Sequence, residues 1–141
     1  MNQIGENSQL QRRTYELFND QRFEEVLAAA APDIVVEMLA LGQIHRGHAG
    51  FREFMLGFKR AFPDLRIEIR SQTADAQRVS AEIVAVGTHS GPLETPHGAL
   101  PATGRRVTFT VCEVWDVRDG KIAAIRNYQD IGTVLRQIGA V

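Results

Sequence analysis

Residues 104–139 read GRRVTFTVCEVWDVRDGKIAAIRNYQDIGTVLRQIG. In the first part Val107, Phe109, Val111, Trp115 and Val117 take every second position, and Glu113 is the one charge among them. Successive strand side chains point to opposite faces, so this alternation specifies a half-buried strand with one apolar face. Asp119-Gly120 follows, a pair favoured where both central residues of a two-residue turn need positive φ. A second strand, Lys121 to Asp130, therefore returns beside the first as a hairpin. Its final acid directly precedes Ile131, Val134, Leu135 and Ile138, which are spaced for a short amphipathic helix.

Upstream, residues to about Glu6 read as a loose terminus. A helix then carries Leu10, Tyr15, Leu17 and Phe18, with Asn7 or Ser8 as its cap and Asn19-Asp20 as its stop. A second helix spans Phe23 to Ala31 and is broken by Pro32. Ile34 to Leu41 is a strand, and Gly42 to Gly50 a loop holding His45 and His48. Phe51, Phe54, Met55, Phe58 and Phe62 form an aromatic stripe at helical spacing, ended by Pro63. Strands begin at Leu65 and Val79, with a polar turn at 74–77 between them. Gly87 to Gly104, rich in Gly, Pro and Thr, is a long excursion between strands, of the kind that carries function or an oligomer contact. Helices first and an antiparallel meander afterwards make the class α+β. A twisted sheet with helices on one face curls around them and leaves a pocket at its open end, with Phe54 and Phe58 in its roof.

The 141 residues are read as one domain, 1–141. A formal net charge of -1, with no basic run longer than pairs such as Arg12-Arg13 and Arg105-Arg106, offers no footprint for nucleic acid or an anionic membrane. The single Cys112 excludes an internal disulfide framework. No leader pattern or long apolar run is present, so the expected address is cytoplasmic. His45 and His48 lie three apart with no third ligand in view, and no metal site is expected.

Three patches together resemble the SnoaL-like polyketide cyclase family, within the nuclear-transport-factor-2-like fold. They are His45-Arg46-Gly47 running to Phe54 and closing at Phe62-Pro63-Asp64-Leu65; Gly87-Thr88-His89-Ser90-Gly91 with Pro101 to Arg105; and Asp119-Gly120-Lys121-Ile122 leading through Tyr128-Gln129-Asp130 to Gly139. The resemblance spans nearly the whole chain. It implies a cone-shaped α+β barrel around an apolar cavity, assembled as a homodimer or homotetramer and binding a small molecule. It also implies ring closure by intramolecular aldol condensation without metal or cofactor, with Asp130 at the position of the family's acid/base. Where a common version of the last strand has an acid and then Trp, this chain has Ala124 and Arg126. A cation in place of a stacking wall points away from an aromatic polyketide and towards a ligand with an acidic group.

Each candidate also has a structural reading. Asp130 stands where an N-cap stands, and a capping carboxylate is held ionised rather than poised near neutral pH. His89, at a strand end, is either bonded to backbone or a partner that orients Asp130. Glu113, between Val111 and Trp115, must be paired, protonated or facing a wet cavity. Counting back from the turn places it beside Arg126, as a cross-strand ion pair. Tyr128 shares the period-2 face of Arg126 and Asp130, as a hydrogen-bond donor in the cavity or a core aromatic. Trp115, Phe54 and Phe58 complete the expected substrate walls. The leading expectation is proton transfer next to a carbonyl, as in aldol cyclisation or isomerisation. The alternatives are a non-catalytic ligand-binding or dimerisation module, and an epoxide hydrolase, which requires paired acids.

Overall fold

The computed structural model describes residues 2–141. The chain runs α1 (Gln3–Asn19), α2 (Phe23–Ala28), β1 (Ala30–Met38), a 3-10 turn (Leu39–Leu41), β2 (Gln43–Arg46), α3 (Gly47–Ala61), β3 (Arg66–Ala74) and β4 (Arg78–Thr88). It continues through β5 (Leu93–Thr95), β6 (Gly98–Leu100), β7 (Arg106–Arg118), β8 (Lys121–Gln129) and α4 (Ile131–Gln137). Six strands form one sheet in the order β2-β1-β8-β7-β4-β3, with β5 and β6 as a separate small hairpin. β1 and β8 run parallel and every other neighbouring pair antiparallel. The result is a curled mixed sheet closed by helices, an α+β cone: the helices and meander imply the class, the family resemblance implies the cone, and the parallel β1–β8 pair departs from a purely antiparallel meander.

The decisive hairpin forms as read, with Asp119 at φ 53° and Gly120 at φ 74°. Beyond the turn, however, the two strands slip. Val117 pairs with Ile122, but Asp116 pairs with Ala124, so β8 spends one extra residue at Ala123. A one-residue bulge reverses which side chains face inward for the rest of the strand. Ile125 and Asn127 are buried, whereas Arg126 is half-buried and Tyr128 and Asp130 are exposed.

Other boundaries move for identifiable reasons. α1 starts at Gln3, capped by Asn2, whose side chain accepts from the Gly5 N–H at 2.8 Å. Asn7 is thereby inside the helix and buried, donating to the Asp75 carbonyl at 3.0 Å. α2 ends at Ala28, not Ala31, because Ala30 already pairs with Ile122 on β8. The loop expected at 42–50 instead contains β2 and the first turn of α3. The 87–104 excursion contains the β5–β6 hairpin and is pinned to the end of α3. There the Gly91 N–H donates to the Ala61 carbonyl, and a Cβ on Gly91 would fall 1.7 Å from the Arg60 carbonyl oxygen.

Two amide side chains extend the backbone ladder. Asn19 donates to the Ile67 carbonyl at 2.9 Å and accepts from the Ile67 N–H at 2.8 Å, docking α1 on the edge strand β3. Gln137 does the same to Thr108, at 2.7 Å each way, where β7 runs past the end of β8. Satisfied edge groups neither cost desolvation nor template aggregation. No helix among the described residues is long and apolar enough to cross a membrane.

Candidate functional site

A cavity of about 60 Å³ lies between the helices and the concave face of the sheet. Phe51, Phe54, Met55 and Phe58 of α3 line one side, with Tyr15 and Phe18 of α1 beside them. Ile83, Phe109, Val111 and Ile125 supply the sheet side. The aromatic stripe read from the sequence is thus a cavity wall, and Phe54 and Phe58 meet edge-on with centroids 5.1 Å apart.

Glu113 is the one ionisable acid lining this cavity, and it is 6% exposed. β7 carries it on the apolar face, and Ala81, opposite it on β4, leaves room for the carboxylate. Among the described residues no cation pairs with it. Instead Tyr15 Oη–H donates to Oε1 at 2.8 Å, Trp115 Nε1–H donates to Oε1 at 3.1 Å, and Asn127 Nδ2–H donates to Oε2 at 2.8 Å. Tyr15 also packs edge-on against Trp115, with centroids 5.3 Å apart. Burial pushes the Glu113 carboxyl above its ordinary 4.5, while the hydrogen bonds from Asn127, Tyr15 and Trp115 pull the other way. Burial, and then the neighbouring Glu113 charge, holds the Tyr15 phenol well above 10. Burial thus favours the protonated form of Glu113, against three hydrogen bonds that favour the ionised form.

The expected Glu113–Arg126 pair does not form, because the bulge at Ala123 places Asn127 opposite Glu113. Arg126 lies on the opposite face of β8 and is bonded bidentately to Asp116 at 3.1 Å in each arm. It shares Asp116 with Arg78, at 2.9 Å, and does not line the cavity, which removes the argument for an acidic ligand. Tyr128 is 45% exposed and lines no part of the cavity. Asp130 is also outside: Oδ1 accepts from the Thr133 N–H at 3.1 Å and Oδ2 accepts from the Thr133 hydroxyl. Those two bonds hold its carboxyl below the ordinary 3.8. It is a helix cap in this geometry, and the paired acids required for epoxide opening are not assembled.

His89 is fully buried but stands apart from the cavity, its ring tilted against Phe62 with centroids 5.6 Å apart and Nδ1 3.0 Å from the Thr103 hydroxyl. Its backbone carbonyl accepts from the N–H groups of Thr103 and Gly104, so it ties the long excursion to β4. Burial pushes its imidazole below 6.5. His45 and His48 diverge, the first towards Gln43 and the second towards the Ala30 carbonyl. Among the described residues no group of three His, Cys, Asp or Glu side chains is placed to hold a metal ion.

Tyr15 and Asn127 were not singled out in the sequence. Tyr15 reads only as part of an apolar helix face. Asn127 has a signal: Ile122 and Ile125, both apolar, are three apart, which breaks the period of 2 and betrays the bulge. Counting inward positions from Ile125 instead of from the turn places Asn127 on the Glu113 face.

Residues 8–138 match the family described as SnoaL-like polyketide cyclase. Among solved structures, AclR from Streptomyces galilaeus, a proposed hydroxylase, is 25% identical, covers 98% of each chain and superposes with a TM-score of 0.82. IdmH from Streptomyces antibioticus, a proposed polyketide cyclase, is 28% identical over 94% of this chain and 98% of its own, with a TM-score of 0.79. A proposed ketosteroid isomerase from Kribbella flavida, 15% identical over 92% of this chain and 82% of its own, shares the fold with a TM-score of 0.70. No curated protein matches the chain. The match over 8–138 settles its kinship: the chain belongs to the SnoaL-like polyketide cyclase family.

Proposed function

We propose that this protein catalyses proton transfer at a carbon next to a carbonyl, in an aldol-type cyclisation or a related isomerisation, with Glu113 as the acid/base. The observation that carries this reading is the uncompensated carboxylate in an apolar cavity, held by three neutral donors. Oε1 already accepts from Tyr15 and Trp115, so both of its in-plane lone pairs are in use. Oε2 accepts only from Asn127 and keeps one lone pair for the substrate C–H. Taking the proton leaves a neutral carboxylic acid beside the enolate. Its O–H then returns the proton, either to a second carbon in isomerisation or to the new alkoxide oxygen when the enolate carbon closes a ring. No proton is gained or lost overall, and the raised carboxyl narrows the gap to the carbon acid. Polyketide cyclisation and ketosteroid isomerisation, the activities proposed for two of the relatives, are both reactions of this type.

Exchange of α-hydrogens of 2-butanone in D2O, followed by proton NMR, tests the assignment. The wild type is expected to accelerate exchange, and Glu113→Gln to lose that acceleration while keeping its fold. The Gln amide is accommodated by turning Asn127 so that its carbonyl faces the new N–H. Binding of 2-butanone by the wild type with no acceleration of exchange would replace catalysis by a ligand-binding role.

A further inference from the structure

A second pocket, of about 120 Å³, lies on the far side of Phe54 and Phe58 from Glu113. The two rings belong to the linings of both pockets and form the partition between them. Met38, Leu41 and Leu93 supply apolar wall to the outer pocket. His45, tilted against Phe54 with centroids 5.7 Å apart, Glu53, Arg60 and Glu94 supply polar groups. The inner cavity by itself is smaller than the roughly 150 Å³ known to accept benzene in an engineered core. A substrate with enough atoms to close a ring must therefore extend past the partition.

Gly57 is the second observation. It lies in the interior of α3, where glycine is less stable than alanine, at a negative φ that any residue adopts. A Cβ there would meet nothing within 4 Å, and Gly57 lines the outer pocket. Neither backbone conformation nor close packing calls for glycine at this position. What its missing side chain leaves is space.

We infer that the outer pocket is a second substrate subsite, kept open by Gly57 and joined to the Glu113 cavity when Phe58 turns aside. Phe58 is the ring to move, because it is half-buried whereas Phe54 is 8% exposed. The charges at the outer pocket select the substrate class. Arg60 is bonded to Glu53, and Glu94 has no ion-pair partner among the described residues, so the excess charge is negative. A carboxylate or phosphate tail is repelled. The fitting molecule is an elongated, uncharged carbonyl compound, its reacting end at Glu113 and a ring-sized, apolar portion beyond the phenylalanines. This inference rests on the reading of the Glu113 cavity as the substrate site.

Two ketones with the same head separate the subsites: 2-butanone, and 4-phenyl-2-butanone, which adds a phenyl tail. Amide chemical-shift titration gives both affinities for the wild type and for Gly57→Leu, whose side chain would occupy the outer pocket. The phenyl ketone is expected to bind the wild type about tenfold or more tightly than 2-butanone. Gly57→Leu is expected to remove that advantage while leaving 2-butanone within about twofold. Gly57→Ala, a milder filling that suits the helix, is expected to raise the melting temperature and weaken only the phenyl ketone. Equal binding of the two ketones by the wild type would overturn the subsite, as would an equal loss of both in either variant. A change of oligomeric state in Gly57→Leu by sedimentation would also overturn it, assigning the face to contact between copies. Exchange lost in Glu113→Gln with no effect at Gly57 leaves the catalytic reading standing alone. A Gly57 effect on binding without any exchange leaves the subsite and removes the catalysis.

Discussion

Glu113 on β7 and Asp130 just past the end of β8 are carboxylates of one hairpin unit, and their surroundings drive them in opposite directions. Glu113 lies at the wall of an apolar cavity, where burial raises its proton affinity against three donors. Asp130 lies in solvent at the start of α4, where bonds from Thr133 lower it. Chain position favours Asp130 as the reactive group, since it directly follows the last strand, where the family resemblance puts an acid/base. Environment favours Glu113. A carboxylate fully engaged in capping and already ionised has little driving force to take a proton from carbon, whereas one starved of solvation has more.

The largest expected effect that tests this contrast is on turnover. Glu113→Gln should reduce α-hydrogen exchange by about 10²–10⁴-fold, the usual contribution of a positioned base, whereas Asp130→Asn should leave it within about twofold. Loss of exchange in Asp130→Asn with retention in Glu113→Gln would reverse the assignment. Next, Tyr15→Phe removes one donor from Oε1 and should cost about 1.5–3 kcal/mol in urea unfolding, as for a hydrogen bond to a charged group. It should also move the acid limb of the exchange pH profile upward, because the carboxylate loses a bond that favours its charged form.

A smaller effect separates the two acids by sign. Unfolded Glu113 titrates near 4.5 and the folded group higher, so between those values the folded state holds more protons. Its contribution to stability therefore declines as pH rises through that window. Asp130 is depressed from 3.8, so its contribution is present above 3.8 and is lost as pH falls through its folded value. Melting curves of Glu113→Gln should show a flatter decline above about pH 4.5, and those of Asp130→Asn should differ from wild type only in acid. The smallest effect is the cap itself: Asp130→Ala should lower the melting temperature by a few degrees, and Asp130→Asn, which keeps a capping oxygen, by less.

The local rules in the sequence carried far. Alternation over Val107 to Val117, the positive-φ pair Asp119-Gly120, and the phenylalanine spacing from Phe51 to Phe62 each depend on neighbours within one element or one turn. Those features therefore determined the hairpin, the α3 wall and the α+β order, and they isolated Glu113 as the one charge on an apolar face. The partners of that charge depend on contacts that no local pattern contains. The extra residue at Ala123 shifts the β8 register, replacing Arg126 with Asn127 opposite Glu113 and turning Arg126, Tyr128 and Asp130 outward. Tyr15 reaches Glu113 from 98 positions away because α1 is docked on the sheet, by Asn19 and Asn7 among other contacts and by its buried apolar face. Sequence periodicity thus decided which residues face a core. The bulge and the helix docking, set by packing of the whole chain, decided which of them meet.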